Sequence, residues 1–297
     1  MPNELAGQLA RGASRLVAAL IPNVGHSIFA ETIQGLAEGL RASAYELLLL
    51  PTGYSKEREQ ERLHVLTGWA PAAIVVTGRH HATGAMLLLK DAQAAGIPVV
   101  ENWDHLTKKA NSPGFAQIGF EHFAVGGTMA RHLLTLGHTS LSYVNSSVAE
   151  DFRAQERGEG FVAEALAHGA HTTVLRAAAG DAFDASRAVL PHILCAKGAP
   201  VTAAAFATDH LDCGALMQAT QQGIAIPSQL ALQGFGDFPI GRQLEPSLSS
   251  VRPPTADIGR VAARSILQSL TNGLEPTSSR LLYHLIERDS TFIARGL

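Results

Sequence analysis

The chain has 297 residues, enough for two domains of ordinary size with a hydrophobic core each. With 46% apolar and 16% charged residues, its composition excludes an intrinsically disordered protein, and its two cysteines exclude a disulfide scaffold. The net charge of −3, from 23 Lys and Arg against 26 Asp and Glu, disfavours a protein whose whole surface binds nucleic acid. No long apolar run or secretory signal is visible, so we expect a soluble cytoplasmic protein without membrane contact.

Short apolar runs alternate along the chain with longer segments in which apolar residues recur at helical spacing. This alternation predicts a βαβα order of elements. In chain order the predicted strands are Leu16–Ile21, Glu46–Leu50, Ala73–Thr77, Val99–Asn102, Gln117–Phe120, Leu141–Asn145, Thr173–Arg176, Thr202–Ala207, Leu230–Phe235 and Ser249–Arg252. The predicted helices between them include Ile28–Ser43, Gly84–Ala95, Val125–Leu136, Arg157–His168 and Ile258–Thr271.

Runs such as residues 72–76 are continuously apolar, which is typical of parallel strands that helices cover on both faces. About ten strands are many for one small open sheet and favour an α/β fold of two doubly wound parallel-sheet lobes. We expect an N-terminal lobe of residues 15–118 plus 250–274 and a C-terminal lobe of residues 119–249 plus 275–297. Crossovers are expected to join the lobes, with a ligand cleft between them at the carboxyl ends of the strands.

The sequence lacks the common catalytic signatures. It has no P-loop and no nucleophile elbow, and the first strand-to-helix turn has one glycine where a dinucleotide fingerprint has three. Cys195 and Cys213 stand in no thiol-enzyme context and are predicted to be small, buried residues on helices. We therefore expect no catalytic residues, no enzymatic activity and no cofactor.

Thirteen histidines raise the question of a metal site. The close pairs His80/His81 and His168/His171 have no second cluster of ligand-type residues at a suitable spacing, so no metal is predicted. His26 and His81 each follow a strand end. Either could contact a ligand in the cleft, and either fits an exposed loop histidine equally well.

The segment ahead of the first strand, residues 2–12, places Leu5 and Leu9 on one helical face but is too short to form a stable helix alone. On physical grounds it resembles an ordinary frayed terminus.

A series of short motifs changes this interpretation, because in order and spacing it resembles the LacI/GalR family of transcriptional regulators over nearly the whole chain. Each motif is weak alone, and the ordered series is specific. The motifs are Pro2-Asn3 with Ala6 and Leu9, Ile21-Pro22 with Phe29-Ala30-Glu31, Gly96–Val100, His132-Leu133-Leu134 with Gly137-His138, Arg157 with Gly160-Phe161, Ala207–Asp209 with Gly214-Ala215, Gly234–Asp237 with Pro246–Val251, Gly259 with Ala262-Ala263, and Leu285–Thr291.

The resemblance implies a periplasmic-binding-protein-like fold of type I, a homodimer, a small-molecule effector and operator DNA as partners. It makes residues 1–14 the remnant of a hinge helix, in which Ala6 and Leu9 would contact DNA in a full-length protein. The helix-turn-helix headpiece expected before Pro2 is missing from this sequence, so we expect DNA binding by this chain to be weak or absent.

By position, the family's effector contacts fall in the loops that follow the strands. They correspond to His26, Ser27, Ile28, Phe29, His81, Trp103 and Asp104 in the first lobe, and to Arg153, Arg157, Phe183, Thr208, Asp209 and Asp237 in the second. Arg157 is the strongest candidate, because a guanidinium offers a fixed fork of donors to ligand oxygens; a surface arginine is the alternative. Phe29 and Trp103 fit an apolar ligand face and ordinary packing nearly equally well.

Family members with neutral effectors commonly carry an aspartate where this chain has Gly236. Its absence, together with the two arginines predicted for the cleft, Arg153 and Arg157, favours an acidic effector. Residues 99–104 and 234–237 are also similar to the gluconate-repressor branch, which suggests a sugar acid such as gluconate or a related aldonate. The expected function is an effector-controlled regulator, most simply a repressor that its ligand releases from DNA. A solute-binding protein of the same fold and a sensor of a neutral sugar remain alternatives.

Overall fold

The computed structural model describes residues 14–25, 28–106, 114–195 and 200–292. Its strands are β1 Leu16–Ile21, β2 Glu46–Pro51, β3 Ala73–Thr77, β4 Val99–Asn102, β5 Ala116–Gly119, β6 Ser140–Asn145, β7 His171–Arg176, β8 Ala203–Phe206, β9 Ala231–Phe235, β10 Ser249–Arg252, β11 Ser279–Arg280 and β12 His284–Ile286. Its α-helices are α1 Ala30–Leu40, α2 Lys56–Thr67, α3 Thr83–Ala94, α4 His122–Thr135, α5 Phe152–Ala167, α6 Ala182–Leu194, α7 Asp209–Gln221 and α8 Thr255–Asn272, and residues Pro239–Arg242 form a 3₁₀-helix.

These elements form two compact units. Within the described ranges, the first unit comprises the residues up to Glu121 and Pro254–Leu282, and the second comprises His122–Pro253 and the residues from Tyr283 onward. No helix of the described residues is both long enough and apolar enough to cross a membrane.

The first unit is built on a six-stranded parallel sheet in the order β11-β5-β4-β3-β1-β2. Leucines of α2 and α3 pack on β1 and β3 in one apolar core. Helices α1 and α8 pack closely against each other, because glycines on both helices leave room for the backbone of the other helix. A Cβ at Gly35 would lie 2.2 Å from the carbonyl oxygen of Ala256, and one at Gly259 would lie 2.1 Å from that of Thr32.

The second unit has a six-stranded sheet in the order β12-β10-β9-β8-β6-β7, parallel except for the antiparallel pair β10–β12. Helix α5 begins after Asp151, whose side chain accepts a hydrogen bond from the backbone N–H of Ala154 at 3.1 Å. The buried Tyr143 of β6 donates its hydroxyl to the carbonyl oxygen of Ala154 at 3.0 Å. The start of α5 is therefore fixed over the sheet.

The predicted fold class is confirmed: both units are doubly wound α/β structures with parallel sheets. All ten predicted strands are present, and β11 and β12, of two and three residues, are additional. The sequence pattern gives no bounds for α2, α6 or α7, although it predicts helices around Cys195 and Cys213. Helix α2 is largely charged, and α7 is buried on nearly all sides, so neither displays a clear apolar stripe.

The unit boundaries lie a few residues from those expected. Strand β11 pairs with β5 and keeps residues 275–282 in the first unit, whereas β10 pairs with β9 and keeps residues 250–252 in the second. Ala6 and Leu9 of the expected hinge helix lie outside the described residues.

The expectation of two buried cysteines is half right. Cys213 is buried in α7, where burial raises the pKa of its thiol, but Cys195 is exposed because it follows the last turn of α6 at the surface.

Candidate functional site

An aromatic cluster lies at the carboxyl end of the first unit's sheet. Trp103 follows β4 directly, has a φ of 69° and is only 1% exposed. Its ring lies edge-on to Phe29, with centroids 5.0 Å apart, and 5.9 Å from Phe120. Its indole N–H donates to the hydroxyl of Thr32 at 3.1 Å. Two predicted ligand contacts, Phe29 and Trp103, are thus buried against each other inside this unit.

The same edge holds a buried cation between two carboxylates. Nδ1 of His81 lies 2.9 Å from Glu59 Oε1, and its Nε2 lies 3.4 Å from Glu101 Oε1. Burial lowers the pKa of His81, but hydrogen bonds and charge from Glu101 and Glu59 outweigh it and raise the pKa to about 9. The imidazole is therefore charged at neutral pH, and both of its nitrogens face glutamates of this unit.

Asp104, another predicted contact, is 2% exposed, and its Oδ1 lies 4.0 Å from Nε of Arg79. Ile28 is half-buried. His26 and Ser27 lie outside the described residues.

The second unit buries a guanidinium. Arg157, in the second turn of α5, is 3% exposed. Its Nη1 lies 2.9 Å from Nδ1 of His122, and its Nη2 donates to the carbonyl oxygen of Ala207 at 3.0 Å. Its Cζ lies 4.0 Å above the centre of the Phe235 ring. Ala207 and Phe235 mark the carboxyl ends of β8 and β9, so the guanidinium lies at the predicted edge of the sheet.

No acidic side chain among the described residues forms a salt bridge with Arg157, and its Nε is buried without a hydrogen-bond partner. A buried charge without a counter-charge is costly, by several kcal/mol in general. This position is therefore suited to binding an anion.

The acidic residues at this edge have partners of their own. Asp209 is fully buried and accepts hydrogen bonds from the Ser250 hydroxyl at 2.6 Å and the Phe238 backbone N–H at 2.8 Å. Burial outweighs these bonds and raises its pKa to about 7. Asp237 contacts Nη2 of Arg252 and Nη2 of Arg288, each at 2.5 Å.

Three further predicted residues lie at or near helix starts in this unit. Thr208 accepts a hydrogen bond from the backbone N–H of Leu211 at 3.5 Å and so caps α7. Arg153 and Phe183 are half-buried near the starts of α5 and α6. The Phe183 ring lies 5.4 Å from that of His210.

The structure brings the predicted residue Arg157 into contact with His122, which the sequence analysis does not predict. His122 is 1% exposed and opens α4. A polar side chain shortly after the fifth predicted strand was the available signal. Among the described residues, no group of three or more His, Cys, Asp or Glu side chains could hold a metal ion.

Comparison with known proteins gives a consistent result. A family model described as a periplasmic binding protein-like domain matches residues 130–291. The HTH-type transcriptional regulator GntR of Pseudomonas aeruginosa is 30% identical over 300 residues, which cover 97% of this chain and 82% of that protein.

Solved structures of transcriptional regulators are similar as well. A LacI family transcriptional regulator from Silicibacter pomeroyi superposes with a TM-score of 0.87 at 27% identity, covering 98% of this chain and 86% of that one. The transcription regulator GntR from Chromobacterium violaceum has a TM-score of 0.82 at 26% identity, covering 93% of this chain and 99% of that one. These similar proteins are transcriptional regulators and not enzymes.

Proposed function

We propose that this chain, which belongs to the LacI/GalR family of transcriptional regulators, is the effector-sensing part of such a regulator and binds a sugar acid such as gluconate or a related aldonate. Regulators of this family bind small effectors and operator DNA. The specific proposal concerns the chemical class of the effector, because a carboxylate is what separates a sugar acid from a neutral sugar.

The observation that carries the proposal is the buried guanidinium of Arg157. Its contacts with His122, Ala207 and Phe235 include no negative charge. A carboxylate supplies that charge and matches the planar fork of guanidinium donors, whereas a neutral hydroxyl leaves the charge unpaired. The proposed pose therefore places the acid group of the effector on Arg157.

The surroundings of the guanidinium support this choice. The acids at the same edge, Asp209 and Asp237, hold groups of their own unit and so do not neutralise Arg157. The half-buried Arg153 and Phe183 are proposed as further contacts with the ligand. The remaining contacts inferred from the family stay predictions: His26, Ser27, Ile28, Phe29, His81, Trp103, Asp104, Thr208, Asp209 and Asp237.

Control of DNA binding is the second part of the proposal. The effector is proposed to shift a homodimer between two states, of which one allows paired hinge helices and headpieces to hold operator DNA. Release of a repressor by its ligand is the simplest version. The names of the similar proteins, which are transcriptional regulators, support this part.

Calorimetric titration with D-gluconate and D-glucose tests the effector class. Gluconate should give a saturable binding heat and glucose none. Arg157→Met keeps an apolar chain on the Phe235 ring but removes the charge, and should weaken gluconate binding by about a hundredfold. Arg131→Met, on the exposed face of α4, is the matched control and should bind like the wild type. Preference for glucose, or full affinity in Arg157→Met, would overturn the proposal.

A further inference from the structure

Arg157 and the charged form of histidine are both hydrogen-bond donors without an acceptor, so a hydrogen bond between Arg157 and His122 requires one of the two side chains to be uncharged. An arginine side chain has no acceptor and stays protonated. Nδ1 of His122, which lies 2.9 Å from Nη1 of Arg157, must therefore accept. The ring proton then resides on Nε2, and the ring is neutral.

We propose that His122 is a positioning residue that sets the charge selectivity of the site: it holds the Arg157 guanidinium with a neutral acceptor, so the guanidinium is oriented while its charge remains free for an anion. The proposal rests on the proposed function, in which Arg157 receives the acid group of the effector. It goes further because it assigns the selectivity to a second residue, which itself need not touch the ligand.

The other neighbours of the guanidinium are neutral as well. The Ala207 carbonyl is an uncharged acceptor, and the Phe235 ring is an uncharged face. Burial raises the pKa of Tyr143 to about 12, although the nearby Arg157 opposes the shift, so this phenol is also uncharged. Every described contact of Arg157 thus orients it without neutralising it.

Two other arginines of the second unit are paired with a carboxylate. Arg252 and Arg288 are both held by the carboxylate of Asp237. A carboxylate is the common partner of a partly buried arginine, and it would cancel most of the attraction for an incoming anion. The neutral acceptor at position 122 is the feature that distinguishes Arg157 from these two arginines.

Three variants separate positioning from charge. In His122→Asn the amide oxygen can take the place of Nδ1, so the acceptor is kept. His122→Asp has nearly the same shape but adds a negative charge, and His122→Leu removes the acceptor. D-gluconate is the probe, measured by calorimetry near neutral pH, with the melting temperature and circular dichroism of each variant as checks of folding.

His122→Leu should bind gluconate at least about tenfold more weakly than the wild type, and His122→Asn should recover most of that loss. His122→Asp should bind at least about tenfold more weakly than His122→Asn while melting at the same or a higher temperature, since its carboxylate pairs with Arg157. If His122 had only a structural role, the gluconate affinity of the three variants would fall in the same order as their melting temperatures. Equal affinities of the Asn and Asp variants would overturn the charge selectivity, and wild-type affinity in a folded Leu variant would overturn the positioning role.

The ring tautomer tests the inference without any ligand. Nitrogen-15 spectra of the imidazoles, with His122 assigned by its absence from the His122→Asn spectrum, should show a proton on Nε2 and none on Nδ1. A protonated Nδ1 would overturn the inference. If wild-type protein takes up no gluconate, the proposed effector class fails, and the tautomer still decides the inference about His122.

Discussion

In the described part of each unit, a cationic side chain is buried near the carboxyl end of the sheet, and the two cations, His81 and Arg157, differ in their surroundings. In the first unit, His81 lies between Glu59 and Glu101. In the second, Arg157 contacts a neutral imidazole, a carbonyl oxygen and an aromatic ring. The first arrangement is complete within its own unit, whereas the second lacks a negative charge. The same fold therefore holds one buried cation among carboxylates of its own unit and another without a counter-charge.

The comparison predicts that substitutions of His81 act on stability and substitutions of Arg157 act on binding. Both tryptophans, Trp69 and Trp103, lie in the first unit. Tryptophan fluorescence therefore reports the unfolding of that unit, and calorimetry or circular dichroism reports the whole chain.

The largest expected effect is that of His81→Leu. It leaves two glutamates buried without their cation, and breaking a buried ion pair in this way costs about 3–5 kcal/mol of the free energy of unfolding. Urea unfolding followed by tryptophan fluorescence measures it, with His64→Leu on the exposed side of α2 as the control. A loss below about 1 kcal/mol would mean that the contacts of His81 with Glu59 and Glu101 do not stabilise the first unit.

The pH dependence of the first unit should come next in size. The pKa of His81 is raised from 6.5 to about 9, so its contribution is complete below pH 6.5 and disappears as the pH rises through 9. The raised pKa corresponds to about 3 kcal/mol. Fluorescence-detected unfolding across this range should show the decline in wild type and a flatter profile in His81→Gln. Parallel profiles would assign the decline to other groups.

A smaller effect is expected for Asp237→Asn in the second unit. The change removes the counter-charge of Arg252 and Arg288, and because both arginines are partly exposed we expect a loss of about 2 kcal/mol. Calorimetric unfolding measures it against Asp257→Asn, an exposed partner of Arg260 whose loss should change little. If both variants lost equally little of the free energy of unfolding, the pairing of Arg252 and Arg288 with Asp237 would not stabilise the second unit.

The smallest effect on stability is expected for Arg157→Met, although under the proposed function the same change weakens gluconate binding by about a hundredfold. Replacing a buried charge that lacks a counter-charge with an apolar chain should change the free energy of unfolding by less than about 1 kcal/mol, or increase it. The melting temperature by calorimetry checks this. A loss of several kcal/mol would show that Arg157 is a structural cation like His81 and would end the comparison.

Much of the framework could be predicted because it depends on local patterns. The bounds of β1, β3, β4 and β10 follow the sequence prediction to the residue, since each short strand adjoins a proline or a glycine at one end. Helix α5 starts earlier than its apolar periodicity indicates. Its first turn is determined by the capping side chain of Asp151, which apolar spacing does not register.

The sequence by itself determined the two doubly wound sheets, the position of Arg157 near the carboxyl edge of the second sheet and the membership of the family. It could not determine which cation is paired, because His81 meets Glu59 and Glu101, and Arg157 meets His122, only when separate elements pack together. Periodicity and motif spacing depend on neighbours along the chain. The charge balance of a buried site depends on neighbours in space, and only the tertiary structure decided it.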